Sequence, residues 1–504
     1  MSPRKVAGIF LALSLAACST LPERQPPGDM SAEALPPEPA DLLSGLAGEA
    51  QVSGFVPLVS GADAYDARVA LIGLAERSLD IQYYMWADDL TARALLLEVL
   101  AAADRGVRVR LLLDDMHTGL QLPFAVVDRH PRIEVRVFNP FGWRKARLME
   151  WFVEGVRLNR RMHNKVVIAD NALAITGGRN IADHYFAADV RSNFRDFDLL
   201  ATGPIVRAMS VSFDDYWQSR WSYPIAWLDE APAEATPAAL AADLEAWIAE
   251  KPPFPFMRKP ARQDLTARLQ GFLDRQFVAP AVLLYDSPDK VAGLGNPGVA
   301  AYIFDSARDV EREFLMEISY LIPGDEGVAM LAERVQAGVR VAALTNSLAT
   351  NDITPAHSGY ANYREALLRA GLEIHELRPD AVAEQRHHTF LASHSFSHLH
   401  TKAFVYDRKR VLVGSMNVDP RSVRHNTELG ILVESPELAA HVAGLIEEGM
   451  HPLNSYALEL RDGRLRWRVS AAGEEEWIGH EPDTGWWERF TARVFALLPI
   501  EGLL

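Results

Sequence analysis

Apolar and polar positions alternate sharply after two glycines. Gly106 is followed by Val107-Arg-Val-Arg-Leu111, and Gly338 by Val339-Arg-Val-Ala-Ala343. Period two is the spacing of a strand, whose successive side chains point to opposite faces. The residues before each glycine, Ala103-Asp-Arg and Val335-Gln-Ala, read as a helix end with the glycine as its C-cap. A second pair matches in the same way: Ile133-Glu-Val-Arg-Val-Phe-Asn-Pro140 and Leu372-Glu-Ile-His-Glu-Leu-Arg-Pro379. The chain therefore reads as a tandem duplication of one unit in which strands alternate with helices. That pattern predicts α/β layers around a largely parallel sheet. The first unit is expected over residues 52–225 and the second over 275–450. Between them, 229–260 is rich in alanine, proline and acid, and reads as a surface connection. It should carry a helix near Ala238–Glu250, docked by Trp247.

The repeat also carries chemistry. His163-Asn-Lys165, Asp170 and Gly177-Gly178-Arg179-Asn180 return as His400-Thr-Lys402, Asp407 and Gly414-Ser415-Met416-Asn417. Both copies fit H-x-K-x4-D-x6-G-[GS]-x-N, and the two histidines lie 237 residues apart (400 − 163). A bare H-x-K-x4-D arises at ~10⁻⁴ per position, so two extended copies are no coincidence. Apolar, partly β-branched residues follow each lysine, as strands prefer. On a strand, His163 and Lys165 share a face, and so do His400 and Lys402.

Such a pair presents an imidazole beside an ammonium. One copy makes half of a phosphoryl-transfer site; two facing copies make a whole one. One histidine attacks phosphorus and the other protonates the leaving alcohol. Lysines and asparagines stabilise the phosphoryl oxygens, without metal or other cofactor. Asp170 and Asp407 have the opposite strand parity from the lysines, which leaves open whether they touch substrate or hold the site together. Each histidine also wants an orienting carboxylate. Glu428, in Asn426-Thr-Glu428, is expected to serve His400, and Asp198, in Arg195-Asp-Phe-Asp198, to serve His163.

The doubled pattern resembles the phospholipase D superfamily, in which an N-x-E acid such as Glu428 is typical. Longer stretches, among them Leu79-Asp-Ile-Gln-Tyr-Tyr-Met-Trp86, Thr345-Asn-Ser-Leu348 and Leu497-Leu-Pro-Ile-Glu501, look like bacterial cardiolipin synthase C-type lipoproteins. The resemblance implies an α/β fold with two α/β/α layered domains and a shared active site at their interface. It implies catalytic roles for His163, Lys165, Asn180, His400, Lys402, Ser415, Asn417 and Glu428, with His163 as nucleophile and His400 as general acid. The reaction implied is phosphatidyl transfer to phosphatidylglycerol, yielding cardiolipin. A phospholipase D, with water as acceptor, or a non-catalytic envelope lipid-binding protein, are the alternatives. With both motifs in one chain, a monomer suffices.

Charge and composition refine this picture. The formal charge is −16 over 504 residues, which counts against a nucleic-acid partner. Arg157, Arg160, Arg161 and Arg179 crowd the first motif and read as a phosphate-binding rim. The loop before the second motif holds His387, His388, His394 and His398. No cysteine joins them and His400 is already committed, so no metal is expected there. At the N-terminus, Arg4 and Lys5 precede an apolar run too short to span a bilayer, then Leu15-Ala-Ala-Cys18. This resembles a lipobox, implying a signal over 1–18 and a lipidated Cys18 that tethers the chain to a membrane. Ser19 implies the outer rather than the inner membrane. Residues 19–48, rich in proline and acid, read as the tether. The tail, 451–504, carries Trp467, Trp477, Trp486 and Trp487. They suit packing onto the second unit or, as the lesser expectation, a lipid interface.

Overall fold

The computed structural model describes residues 21, 41–48, 51–116, 123–251, 261–295, 298–385, 395–471 and 474–498. Cys18, most of the expected tether and the histidines of 386–394 lie outside these ranges. The tether is shorter than expected, because Leu42–Ala47 forms a helix and buries Leu43 in the first core.

The first half contributes β1 (Ser53–Leu58), β2 (Ser78–Tyr83), β3 (Arg108–Asp114), β4 (Ile133–Phe138), β5 (Val166–Ala169), β6 (Leu173–Gly177), β7 (Ser192–Arg195), β8 (Asp198–Thr202), β9 (Ser222–Pro224) and β10 (Phe277–Ala279). The second contributes β11 (Ala281–Tyr285), β12 (Glu313–Ile318), β13 (Arg340–Asn346), β14 (Glu373–Leu377), β15 (Phe396–Leu399), β16 (Lys402–Tyr406), β17 (Arg410–Gly414), β18 (Leu429–Val433), β19 (Ser455–Arg461), β20 (Arg464–Ala471) and β21 (Glu474–Ile478). Among the described residues these form two large sheets, β10-β1-β8-β6-β5-β2-β3-β4-β9 and β11-β18-β17-β16-β12-β13-β14-β19-β20-β21. Strands β7 and β15, one from each half, pair only with each other and in parallel. The duplication and the layered α/β architecture are as expected.

The expectation of a largely parallel sheet is corrected. Within the two large sheets, among the described residues, only β2-β3-β4 and β12-β13-β14 run parallel. The motif strands are antiparallel, because each copy folds as a hairpin, β5–β6 and β16–β17. Asp170 and Asn171 turn the first with φ of 51° and 54°, and Asp407 and Arg408 the second with 52° and 51°. Two successive left-handed residues make the tight turn whose twist suits a hairpin, and aspartate and asparagine tolerate that conformation well.

This turn decides the role of the motif aspartates. Asp170 accepts backbone N–H bonds from Glu76, Arg77 and Ser78 at 2.9, 2.8 and 2.9 Å. Asp407 accepts from Glu311, Arg312 and Glu313 at 3.1, 2.8 and 3.0 Å. Each carboxylate thus ties the hairpin to the entry of the neighbouring central strand, β2 or β12. Each also stands at the far end of its strand, ~16 Å from the motif lysine at ~3.3 Å per residue. Neither is a catalytic residue. Asp170→Ala should strand three buried or half-buried N–H groups and cost about 2–4 kcal/mol, and Asp407→Ala, two of whose three donors are open to water, should cost less. The expected readout is a lower melting temperature, with the pH profile of the surviving activity unchanged.

Two domain limits also move. β10 joins the first sheet through β1, with Ser53 opposite Ala279, so the second unit begins at Ala281 rather than 275. β19 extends the second sheet from β14, so the chain after 451 is part of that sheet and not an appendage. The connecting helix forms as expected, over Pro237–Ala249, with the Thr236 hydroxyl accepting from Ala239 N–H at 3.2 Å. The Arg93 guanidinium lies 4.1 Å from the centre of the Trp247 ring and docks that helix on the first half.

Three apolar cores follow. One fills the space between the first sheet and its outer helices, Gly61–Leu74 and Leu90–Asp104. Another does so beneath Gly298–Arg308, Gly324–Gln336 and Thr354–Ala370. The third joins the halves. It gathers Phe213 and Trp217 from helix Pro204–Gln218, Val442 and Ile446 from helix Pro436–Gly449, and residues of both sheets, such as Leu199 and Leu315. The two halves therefore meet across a continuous core, and the site is built at one end of it.

Candidate active site

Each motif histidine lies just before the hairpin strand that follows it, where β5 runs antiparallel to β2 and β16 to β12. Both histidines thus stand at the carboxyl ends of the parallel strands, and backbone bonds tie each to the opposite half. His163 N–H donates to Thr427 O at 2.9 Å, and Thr427 N–H to Arg161 O at 2.9 Å. His400 N–H donates to Arg195 O at 2.8 Å.

The side chains cross over in the same way. His163 Nδ1 lies 2.9 Å from Glu428 Oε2, and His400 Nδ1 lies 2.7 Å from Asp196 Oδ2. The expected pairing, Glu428 with His400 and Asp198 with His163, is corrected on both counts. Sheet register gives the reason for the second. Gly414 pairs with Gly430, and Gly177 with Asp198. The residue two positions before the glycine's partner is Glu428 in one copy and Asp196 in the other. Asp198 instead accepts from Arg68 Nη2 at 2.8 Å and from Arg179 N–H at 3.2 Å, as a buried structural charge.

The second motif glycine is set by the length of the acid beside it. A Cβ on Gly178 would meet Asp196 Oδ1 at 2.1 Å. The short aspartate reaches across only if the backbone comes this close, so nothing larger than glycine fits. The longer Glu428 leaves room for Ser415, whose hydroxyl donates to Glu428 Oε2 at 2.5 Å. Ser415 is thus a positioning residue for the acid.

Both lysines fold back on their own loops. Lys165 Nζ donates to the His163 carbonyl; Lys402 Nζ donates to the His400 carbonyl and to Ser319 Oγ, the latter at 3.0 Å. Asn180 Nδ2 donates to Tyr185 Oη at 2.8 Å, and that oxygen lies 3.4 Å from His400 Nε2. Asn417 Oδ1 is buried with no partner among the described residues. An orphaned polar atom inside a site is a place for substrate or water. The Tyr84 ring packs edge-on against His163 at 5.0 Å, and the Tyr185 and Phe194 rings lie 5.1 Å from His400. Sequence reasoning missed Tyr84, Tyr185 and Phe194, and passed over Asp196 in favour of Asp198.

The arginines near the first motif do not form a phosphate rim. Arg179 donates to the carbonyls of Leu58, Val59, Tyr185 and Asp196. Arg161 reaches Asp114 and Asn139 O, Arg157 reaches Glu150 and Pro140 O, and Arg160 reaches Val291 O. A guanidinium has five donors, and buried carbonyls and carboxylates take up most of those of Arg157, Arg161 and Arg179, while Arg160 makes the single bond to Val291 and its Nε has no partner among the described residues. His398 is likewise engaged, its Nδ1 donating to Thr350 O at 2.6 Å.

The electrostatics follow from burial. Each histidine is only 7% exposed. Burial pushes both imidazoles well below their ordinary value, and Lys165 and Lys402 push them further. Burial also brings Lys165 down to about 7 and Lys402 down to about 8, against the pull of Glu428 and Asp196. It pushes Glu428 up to about 7 and Asp196 upward. Lys165 and Lys402 thus stand against Glu428 and Asp196 around the two imidazoles. An entering phosphodiester adds a negative charge, which favours protonated lysines and a protonated histidine.

A pH profile follows. The attacking histidine must be neutral, a form that exists above its lowered pKa, so the acid limb of kcat/KM should fall below pH 6.5. His400 must carry the proton it gives away, a form lost above its own lowered pKa, and the lysines must be charged, a form lost past about 7–8, so kcat/KM should already decline on the alkaline side and fall more steeply there. Bound phosphate holds their protons, so the alkaline limb of kcat should lie higher. A kcat/KM flat from pH 6 to 9 would contradict this arrangement.

A family model described as "Cardiolipin synthase, PLD-like domain" matches residues 69–217 and 303–449. Cardiolipin synthase C of Escherichia coli (strain K12) is 38% identical over 456 residues, 90% of this chain and 96% of that protein. Cardiolipin synthase A of Edwardsiella ictaluri is 23% identical, over 78% of this chain and 68% of that protein. Among solved structures, phosphatidylserine synthase of Haemophilus influenzae superposes with a TM-score of 0.57 at 14% identity. That match covers 91% of this chain and 98% of the other, and at this identity it shows the shared fold.

Proposed function

We propose that this chain, which belongs to the phospholipase D-like cardiolipin synthase family, transfers a phosphatidyl group between phospholipids, with phosphatidylglycerol as acceptor and cardiolipin as product. The observation that carries the reading is the pair of histidines, each braced at Nδ1 by a carboxylate of the opposite half, leaving Nε2 for chemistry.

His163 Nε2 attacks phosphorus as the bond to the leaving alcohol breaks, and His400 Nε2 gives that oxygen its proton. Phosphatidyl-His163 remains. The acceptor hydroxyl then loses its proton to His400 and attacks phosphorus, the P–N bond breaks, and His163 returns to its starting state. Glu428 and Asp196 stabilise whichever imidazole carries positive charge. Lys165, Lys402, Asn180 and Asn417 are the groups for the phosphoryl oxygens.

Incubation of purified protein with labelled phosphatidylglycerol and phosphatidylethanolamine, followed by lipid analysis, separates the readings. Cardiolipin supports transfer; phosphatidic acid alone indicates hydrolysis; no product indicates a binding protein. The same proposal places the chain in the cell envelope as a monomer, held at the outer membrane through an acylated Cys18. The lipobox-like Leu15-Ala-Ala-Cys18 and Ser19 support that address. Metabolic labelling with a fatty acid, present in the wild type and absent in Cys18→Ala, is the test; equal labelling would sink it.

A further inference from the structure

The helix Arg147–Leu158 is amphipathic in the reverse of the usual sense. Its apolar side faces out: Leu148, Phe152 and Val156, four residues apart, are 73, 79 and 75% exposed, with Met149, Trp151 and Val153 exposed beside them. Its polar side faces the body. Glu150 is buried, accepting from the N–H of Gly142 and of Trp143 at 2.9 and 2.6 Å and from Arg157 Nη2 at 2.8 Å. Arg157 also donates to Asn139 Oδ1 and Pro140 O, both at 2.8 Å. These bonds fix which way the helix faces.

Its place relates it to the site. The helix ends five residues before His163, on the segment that carries Arg161 to Asp114 at the carboxyl end of β3. A second helix, Trp486–Ala496, exposes Trp486 and Trp487 by 68 and 59%, with Phe490 and Val494 also exposed. Its Ala492 carbonyl accepts from Ser358 Oγ at 2.9 Å. Ser358 lies in the early turns of Thr354–Ala370, just beyond Asp352, which accepts from Tyr320 Oη at 2.7 Å near the carboxyl end of β12. Each half therefore presents an outward apolar helix at the end of the fold where the histidines stand. Exposed Lys145 flanks the first patch and suits an anionic headgroup, while on the second the exposed Arg493 is offset by the exposed Glu488.

We infer that the outward face of Arg147–Leu158, together with that of Trp486–Ala496, docks on a phospholipid bilayer and holds the site at the level of the headgroups. The choice of occupant rests on the phosphatidyl-transfer reading in one respect: a site for phospholipids is served by a surface made of them. The helix is kinked at Glu154 (φ −117°, ψ 22°), so at ~1.5 Å per residue it spans at most ~18 Å, too short for a ~30 Å hydrocarbon core, and it lies in the interface.

The test uses the full chain carrying Cys18→Ala, so that no acyl anchor holds it, and vesicles of phosphatidylglycerol and phosphatidylethanolamine. Hydrogen exchange of the 147–158 amides should slow on vesicle addition. It should not slow in the triple variant Leu148→Glu/Phe152→Glu/Val156→Glu. Turnover of vesicle substrate relative to a dispersed short-chain phospholipid should fall at least tenfold in that variant. Val211→Glu, on an exposed apolar residue of another helix, should leave the ratio unchanged. A matching triple replacement by serine, checked by circular dichroism, separates lost docking from misfolding or charge repulsion. Unchanged exchange on vesicle addition, or an unchanged ratio in both triple variants, overturns the inference. So does protection that appears without vesicles and grows with protein concentration, which would assign the face to a second copy of the chain. If neither substrate turns over in the wild type, the phosphatidyl-transfer reading fails, while the exchange measurement still decides docking.

Discussion

Replacing His163 or His400 by alanine is expected to lower turnover by at least ~10⁵-fold in either case. Each imidazole has a step that no neighbour can take over. Without His163 no P–N bond forms; without His400 the leaving oxygen departs without a proton, and the acceptor later has no base. The two losses should nevertheless look different in a trapping experiment with a phospholipid labelled in its phosphatidyl group. His400→Ala can still accumulate a slowly formed adduct, especially from a substrate with an acidic leaving group, whereas His163→Ala should show none. An adduct that survives in His163→Ala and is absent in His400→Ala would exchange the two roles.

Glu428→Gln should reduce the rate by about 10²–10⁴-fold while the fold is kept, as expected for the carboxylate that orients and charges a catalytic histidine. The crossover gives this prediction its direction. The loss should fall on the step made by His163, which lies in the other half of the chain, and the His163 imidazole should titrate lower still once its carboxylate partner is gone. Asp196→Asn should act likewise on His400. Asp198→Asn should instead destabilise the protein through the Arg68 pair and leave the histidines' titration unchanged. Nuclear magnetic resonance of the two imidazoles reads this directly. If Glu428→Gln moves the His400 resonance and leaves that of His163 in place, the crossed pairing is wrong.

The sequence made the doubled unit legible because the pattern is local. The strand alternation after Gly106 and Gly338, the shared face of His163 and Lys165, and the helix in the connecting segment depend on residues a few positions apart. The sheet direction was misread for a related reason. Alternating strands and helices promise parallel pairing, whereas the hairpin turn at Asp170-Asn171 is set by two backbone angles that spacing does not display. The acids were misread because pairing between halves is non-local. Arg195-Asp-Phe-Asp198 offers two carboxylates two residues apart, on the same side of an extended chain. Only the register of Gly177 against Asp198 shows that Asp196 is the counterpart of Glu428. Tyr84 and Tyr185 went unread because an aromatic residue near a strand end looks like ordinary core until its ring is found against an imidazole.

The crossed acids make assembly a condition of reactivity. A nascent chain that ends within the connecting segment already contains His163, Lys165 and Asp196, yet its histidine has no carboxylate and its acid has no histidine. It carries a nucleophile that is not yet armed. Only when the second half has folded against the first does Glu428 arrive at His163, in the same event that brings His400 to Asp196. A protein that could cut or rejoin the lipids of its own cell is thus kept inert until both halves are in place, with no propeptide or inhibitor needed for the interval.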